Sequence, residues 1–170
     1  MARRIAVLEG ADGDNLQALL AAAVAEWRAA GTRVAGVIAE AHGLPDRTCA
    51  AGFLREIGAE ERFPIYLGTP PEGTSCHLDG AGVTAACAAV IGGISGSDLV
   101  VLSKFGKLEA AGQGLLPAFE AALAAGRPVL TTVSERHRDA WEAFAPDAAR
   151  IDANPAALAA WWSDATARPR

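Results

Sequence analysis

The stretch Ile5-Ala-Val-Leu-Glu-Gly-Ala-Asp-Gly-Asp-Asn15 decides the fold, because it passes from a short apolar run through a glycine-rich turn. The run Ile5–Leu8 predicts a buried strand. Asn15 is a good helix N-cap, and apolar residues recur after it at helical spacing. Gly31 predicts the end of that helix, and the apolar residues 34–38 predict a second strand. The order is that of a βαβ unit, which implies parallel strands.

The rest of the chain continues this alternation, with further strands predicted at 98–102, at 128–133 and near 149–151. Helices are predicted around Val83–Ile94, over 110–125, around Trp141 and Phe144, and around Leu158–Trp162. Residues 39–79 instead predict an insertion of short strands and loops, with strands near 49–57 and 64–67. The whole pattern predicts an α/β fold with a mainly parallel sheet and helices on both faces.

The bulk composition sets limits on function. A chain of 170 residues suffices for one well-cored domain, and 51% apolar with 21% charged residues is ordinary for a globular protein. The net charge of −5 argues against binding nucleic acid or an anionic membrane through bulk electrostatics. No apolar run is long enough for a bilayer span or a signal-peptide core, so we expect a cytoplasmic protein. The three cysteines predict reduced thiols.

The loop of residues 9–15 lies where a phosphate-binding loop would be expected. Gly10 and Gly13 allow a tight turn, and the following helix offers free N–H groups and a positive dipole end. A working Walker A loop also needs a Lys and a Ser or Thr, and this loop has three carboxylates instead. Two interpretations stay open: an anion site, or a tight acidic turn capped by Asn15.

Two lysines, Lys104 and Lys107, are the only ones in the chain, and both follow the predicted strand 98–102. That edge of an open α/β sheet is where ligands bind. Gly106 permits close backbone approach, and Glu109 is placed to pair with either ammonium. The alternative is a solvated loop with ordinary surface ion pairs. We expect the functional interpretation to hold.

Residues 73–79 contain a thiol, an imidazole and a carboxylate just before a helix. Cys76 near a helix N-terminus would have its thiolate favoured, and His77 is placed to assist. The remaining Cys and His residues show no metal-ligand spacing, so we predict no metal site. The simpler alternative is that Asp79 or Ser75 caps the helix and the thiol packs as a small residue.

Two segments carry a resemblance to a known family. They are Cys76-His-Leu-Asp79 and Leu102-Ser-Lys-Phe-Gly-Lys-Leu-Glu109, the second followed by Gly112 and Gly114. They resemble the hallmarks of an uncharacterised bacterial NTPase-like family often encoded beside molybdate-transport genes. More distantly, the element order resembles the THEP-type P-loop nucleoside-triphosphatases. The resemblance implies one P-loop-NTPase-like (RecA-like) domain over residues 1–170, with 39–79 as a small insertion.

The departures from that family pattern point away from metal-dependent catalysis. Asp14 and Asn15 stand where the active enzymes carry the Walker A lysine and hydroxyl, and Ser103 and Lys104 stand where they carry the Walker B acids. Phosphoryl transfer depends on Mg²⁺ and that lysine for positioning and charge neutralisation. The resemblance therefore implies degenerate Walker motifs and argues against a conventional triphosphatase. A lysine in place of a Walker B acid suits a small oxyanion bound without metal.

Three functional hypotheses follow. The first is a binding or regulatory protein for molybdate, phosphate or a nucleotide phosphate; the link to molybdate or molybdenum-cofactor metabolism rests on the resemblance. Its ligand-binding residues would be Gly10, Gly13, Asp14, Asn15, Cys76, His77, Asp79, Ser103, Lys104, Gly106, Lys107 and Glu109. The second is a nucleoside triphosphatase or transferase with a non-standard site that uses Cys76 or Glu109. The third is an interaction module, a homo-oligomer included, formed through Trp161 and Trp162; their helical spacing favours packing instead.

Overall fold

A computed structural model of the chain describes residues 4–41, 43, 51–67 and 78–167. The strands are β1 Ile5–Glu9, β2 Val34–Ala41, β3 Ala51–Glu56, β4 Arg62–Pro64, β5 Leu99–Phe105, β6 Val129–Val133 and β7 Ala149–Asp152. The helices are α1 Gly13–Ala29, α2 Gly80–Ile94, α3 Lys107–Ala110, α4 Leu116–Ala124, α5 Arg138–Phe144 and α6 Pro155–Thr166, with a 3-10 turn at Glu135–His137. None of these helices combines the length and the apolar character needed to cross a bilayer.

The seven described strands form one sheet in the order β4-β3-β2-β5-β6-β1-β7. The five strands from β2 to β7 in that order are parallel, whereas β3 and β4 pair antiparallel. This confirms the predicted α/β class with a mainly parallel, P-loop-NTPase-like sheet. The predicted insertion supplies β3 and β4, which extend that sheet at the β2 edge. The second short strand, predicted at 64–67, forms at Arg62–Pro64 instead.

Helices cover both faces of the sheet because the central strands are apolar on both sides. In β5, Leu99 and Val101 contribute to the core beneath α1 and α6, whereas Val100 and Leu102 contribute to the core beneath α2 and α4. Cys87 of α2 is buried there, and burial raises the pKa of its thiol. The structure thus builds two apolar layers around one sheet.

The tryptophans pack inside the fold. Trp141 is buried within 6.0 Å of the rings of Phe105, Phe119 and Phe144. Trp161 is also buried, and Trp162 lies 5.6 Å from Trp27 between ring centroids. The packing interpretation of these residues is confirmed. Trp161 is too little exposed to form the interaction surface of the third hypothesis.

The N-cap of the first helix lies three residues earlier than predicted. Asp12, not Asn15, is the N-cap of α1. One carboxylate oxygen of Asp12 accepts a hydrogen bond from the Asn15 backbone nitrogen at 3.0 Å, and the other accepts one from the Asn15 side-chain nitrogen at 2.7 Å. Both residue types cap helices well, so the sequence did not discriminate between them.

The predicted helix over 110–125 forms only as α4, Leu116–Ala124, and a separate short helix, α3, precedes it at Lys107–Ala110. The turn between them contains Gly112 with φ of 80° and Gly114 with φ of 63°, a left-handed backbone conformation that glycine adopts without strain. A Cβ on Gly114 would also lie 2.8 Å from Leu108 Cβ. The two left-handed positions, on either side of Gln113, separate α3 from α4, and only glycine fits the second.

Candidate functional site

A cleft of about 920 Å³ opens at the carboxyl edge of the sheet. Its walls come from the first turns of α1 and the loop before it, and from residues 38–41 of β2. Arg55 of β3, Lys104 of β5 and residues 132–135 after β6 complete it. This is the edge at which open α/β sheets bind their ligands.

Lys104 reaches this cleft because β5 contains a bulge. Leu102 is paired with Thr131 of β6 and Phe105 with Val133, so three residue steps on β5 match two on β6. A bulge of this kind interrupts the alternation of side chains and re-aims one of them. Strict alternation would place Lys104 on the same face as Leu102. Instead Phe105 joins that core layer and Lys104 lines the cleft.

The two lysines occupy different surroundings. Lys104 lies within β5, and its stem runs beside Gly106, with Cε 3.6 Å from where a Cβ on that glycine would be. Lys107 is the first residue of α3, is exposed, and does not line the cleft. The expectation of a loop carrying both lysines is therefore wrong. Among the described residues, neither lysine has a carboxylate within ion-pair distance.

Glu109 holds the backbone rather than a lysine. Its carboxylate is buried and accepts hydrogen bonds from the backbone nitrogens of Gly106, at 2.9 Å, and Leu115, at 2.8 Å. Pairing of Glu109 with Lys104 or Lys107, which the sequence suggested, does not occur in this structure. The acid shapes the turn between β5 and α3.

Some of the ligand-binding residues predicted in the first loop line the cleft, and others do not. Gly13 and Asp14, the first two residues of α1, line it. Their backbone N–H groups belong to the first turn, where a helix leaves its donors without intrahelical partners. Gly10 adopts φ of 98° farther back in the loop, and Asn15 is held by the cap. Neither lines the cleft.

The other predicted residues lie elsewhere. Asp79 caps α2, with its carboxylate accepting from the Ala81 backbone nitrogen at 3.0 Å, as the simpler alternative expected. Ser103 is buried within β5. Cys76 and His77 lie outside the described residues, so their predicted roles remain predictions. Across the part of the chain that the structure describes, no group of three His, Cys, Asp or Glu side chains is arranged to hold a metal ion.

Sequence reasoning missed Gln17, which forms part of the cleft wall. Its side-chain nitrogen donates to the Ser103 carbonyl at 2.8 Å, and its side-chain oxygen accepts from the Ala39 backbone nitrogen at 3.0 Å. The available signal was a polar residue at helical spacing from the buried Leu20 and Val24. Thr132 donates its hydroxyl to the same Ser103 carbonyl at 2.8 Å.

The charges of the cleft are mixed. Glu40 binds two arginines, with Arg55 Nε at 2.6 Å and Arg62 Nη2 at 2.8 Å. Asp12 is engaged as the helix cap, so Asp14 and Glu135 are the carboxylates in the wall that form no ion pair within the described chain. None of the described residues that form the wall is aromatic. In its described part, the wall thus offers one unpaired ammonium, hydroxyls and backbone donors, and no aromatic ring on which a base could stack.

Comparison with known proteins identifies the family. The family described as "Protein of unknown function (DUF2478)" matches residues 5–161, and the chain belongs to it. The chain is also 32% identical over 169 residues to the Molybdenum import ATP-binding protein ModC 2 of Bradyrhizobium diazoefficiens. That alignment covers 97% of this chain and 19% of the relative, so the chain spans about a fifth of the relative's length. No solved structure matches the chain.

Proposed function

We propose that this member of the DUF2478 family binds a small oxyanion in the cleft at the carboxyl edge of its sheet, as a binding or regulatory protein. One observation carries the proposal: Lys104, whose ammonium has no carboxylate partner in the described chain, lines the same cleft as the first turn of α1. A cation and free backbone donors around one cleft are the groups that hold an oxyanion.

The remaining donors support the same ligand. The N–H groups of Gly13 and Asp14 lie at the positive end of the α1 dipole. Ser134 lines the cleft, and its hydroxyl is 3.2 Å from His137 Nδ1, which supports its orientation. A tetrahedral oxyanion can accept hydrogen bonds from several such donors at once.

The charges favour a small ligand over a nucleoside triphosphate. Asp14 and Glu135 would repel a polyphosphate, and the only unpaired cation in the described wall is Lys104. A nucleobase would find no aromatic ring among the described residues of the wall on which to stack. Asp14, Asn15, Ser103 and Lys104 also stand where the resemblance places the Walker residues, which supports the interpretation of this site as a degenerate P-loop.

Molybdate is the first ligand to test. The curated relative is named a molybdenum import protein, and the chain aligns with about a fifth of it. Molybdate is a tetrahedral dianion of the class that this cleft suits. We therefore place the protein in molybdate handling or molybdenum-cofactor metabolism as part of the proposal.

Calorimetry with molybdate, tungstate, sulfate, phosphate and ATP would test the proposal. The two lysines supply a matched pair of variants: Lys104→Met removes the ammonium in the cleft, and Lys107→Met removes one outside it. We expect at least one tetrahedral oxyanion to bind, and its Kd to rise roughly tenfold or more in Lys104→Met, as for loss of one charged hydrogen bond. Lys107→Met should leave the Kd within about twofold.

Two results would overturn the proposal. The first is that none of the four oxyanions binds. The second is that both lysine variants weaken binding equally, which would indicate a nonspecific charge effect. Binding of ATP in preference to all four oxyanions would move the assignment to a nucleotide-binding protein.

A further inference from the structure

At the bulge in β5, the Ser103 carbonyl accepts hydrogen bonds from two side chains. Gln17 Nε2 of α1 and Thr132 Oγ1 of β6 each donate to it at 2.8 Å. Both donors come from elements that line the cleft, and Ser103 itself is buried. A buried carbonyl with two side-chain donors is held in one orientation. The peptide that leads into Lys104 is therefore fixed from two sides.

Gln17 also contacts a third element. Its Oε1 accepts from the backbone nitrogen of Ala39 in β2, while its Nε2 donates to the Ser103 carbonyl in β5. Both bonds require the same orientation of the amide, because one partner is a donor and the other an acceptor. Gln17 lies about one turn after Gly13, so its side chain fixes the start of α1 relative to both strands.

We propose that Gln17 is the positioning residue of the oxyanion site, and that it sets the distance between the Lys104 ammonium and the first turn of α1. This inference rests on the proposed function. Gln17 acts through the Ser103 carbonyl, and Thr132 supports the same carbonyl from β6. Loss of either donor lets the bulged peptide rotate and moves Lys104 away from the helix terminus.

The test uses neutral variants of similar volume, so that no charge is added to the cleft. Gln17→Met removes the bonds to Ser103 and Ala39, and Thr132→Val removes only the second donor to Ser103. The control is Thr131→Val on the same strand, because the Thr131 hydroxyl donates to the Thr132 carbonyl and not to the Ser103 carbonyl.

Two readouts separate positioning from simple destabilisation. The first is molybdate affinity in a double-mutant cycle of Gln17→Met with Lys104→Met. The second is NMR of the protein after reductive methylation with ¹³C-formaldehyde, which keeps the lysine charge. Lys104 and Lys107 are the only lysines, so the spectrum contains two lysine signals besides that of the α-amine. The Lys107 signal is an internal reference.

We expect Gln17→Met and Thr132→Val each to raise the molybdate Kd several-fold, and Thr131→Val to leave it unchanged. In the Lys104→Met background, Gln17→Met should have no further effect. The Lys104 methyl signal should shift in Gln17→Met and Thr132→Val while the Lys107 signal stays in place.

Additive effects in the cycle, or an unmoved Lys104 signal in a folded Gln17→Met protein, would overturn the inference. If Gln17→Met does not fold, Thr132→Val against Thr131→Val decides the same question. Failure of wild-type protein to bind any oxyanion would refute the proposed function alone. The Lys104 signal would still report whether Gln17 and Thr132 position the lysine.

Discussion

The carboxylate of Glu109 accepts a hydrogen bond from the backbone nitrogen of Gly106 at 2.9 Å. Gly106 is the single residue between the end of β5 and the start of α3. The second carboxylate oxygen accepts from the Leu115 nitrogen at 2.8 Å, beyond the glycine turn. One buried acid thus joins both ends of the segment that follows the cleft lysine.

Glu109→Ala should lower the free energy of unfolding by about 2–3 kcal/mol, because two hydrogen bonds to a charged acceptor are lost. The substitution also leaves two backbone N–H groups of a buried turn without an acceptor. Urea denaturation would measure this. Glu120→Ala, at an exposed position on α4, is the control and should change stability by less than about 0.5 kcal/mol. Equal effects of the two substitutions would contradict the structural role of Glu109.

Gly112→Ala and Gly114→Ala should differ in cost although both glycines have a positive φ. The left-handed conformation alone costs an alanine about 1–2 kcal/mol. No atom lies within 4 Å of a Cβ at Gly112, whereas one at Gly114 would lie 2.8 Å from Leu108 Cβ. We expect Gly114→Ala to be the more destabilising by roughly 1–3 kcal/mol, as for overpacking. Thermal denaturation of both variants tests this, and a smaller effect at Gly114 would refute it.

Asp98 should titrate well below an ordinary aspartate. Hydrogen bonds from the Arg33 side chain and backbone hold its pKa at about 2. The folded pKa is lower than the unfolded value of about 3.9, so the stability that this pair contributes is present above that pH. It is lost as the pH falls towards 2. The contribution is small because both side chains are substantially exposed.

Carbon-detected NMR of the Asp98 carboxyl group would measure this pKa directly. Arg33→Gln should raise it towards the ordinary value. Arg28→Gln, at the end of α1, is the control and should leave it unchanged. An Asp98 pKa that does not respond to Arg33→Gln would show that the ion pair does not form in solution.

Glu40→Gln should strengthen oxyanion binding if the proposed function holds. Glu40 and Arg55 both line the cleft, and Glu40 neutralises Arg55 and Arg62. Removing one negative charge should lower the molybdate Kd roughly threefold to fivefold at low salt, with less effect at high salt. Calorimetry at two ionic strengths measures this, with Glu26→Gln, outside the cleft, as the control. Weaker binding in Glu40→Gln would show that Glu40 contributes to the site.

The sheet and its helices were predictable because each depends on local periodicity. The apolar runs at 34–38 and 128–133 became β2 and β6, and the helix over Val83–Ile94 formed as α2. The break between α3 and α4 was harder to predict from the sequence. Gly112 and Gly114 are visible in the sequence, but the left-handed backbone there depends on how Glu109 closes the turn.

The sequence predicted the location of the cleft but not the arrangement of the side chains that line it. Strand ends and glycine loops indicated the carboxyl edge, yet the separation of Lys104 from Lys107 follows from the bulge. The bulge in turn depends on pairing with β6 and on the packing of Phe105 among distant aromatic rings. Gln17 contacts Ser103, 86 positions away, and nothing local to a helix encodes such a partner.

The position of β1 in the sheet affects how the site is made during synthesis. Its hydrogen-bonded neighbours are β6 and β7, so roughly 120 residues separate it from its first partner. At about 5–20 residues per second, a ribosome needs on the order of 6–24 s to deliver that partner. During this interval β1, the strand that precedes the acidic loop of residues 9–15, has no strand partner. The cleft is therefore completed late, and contacts of such high sequence separation slow its formation.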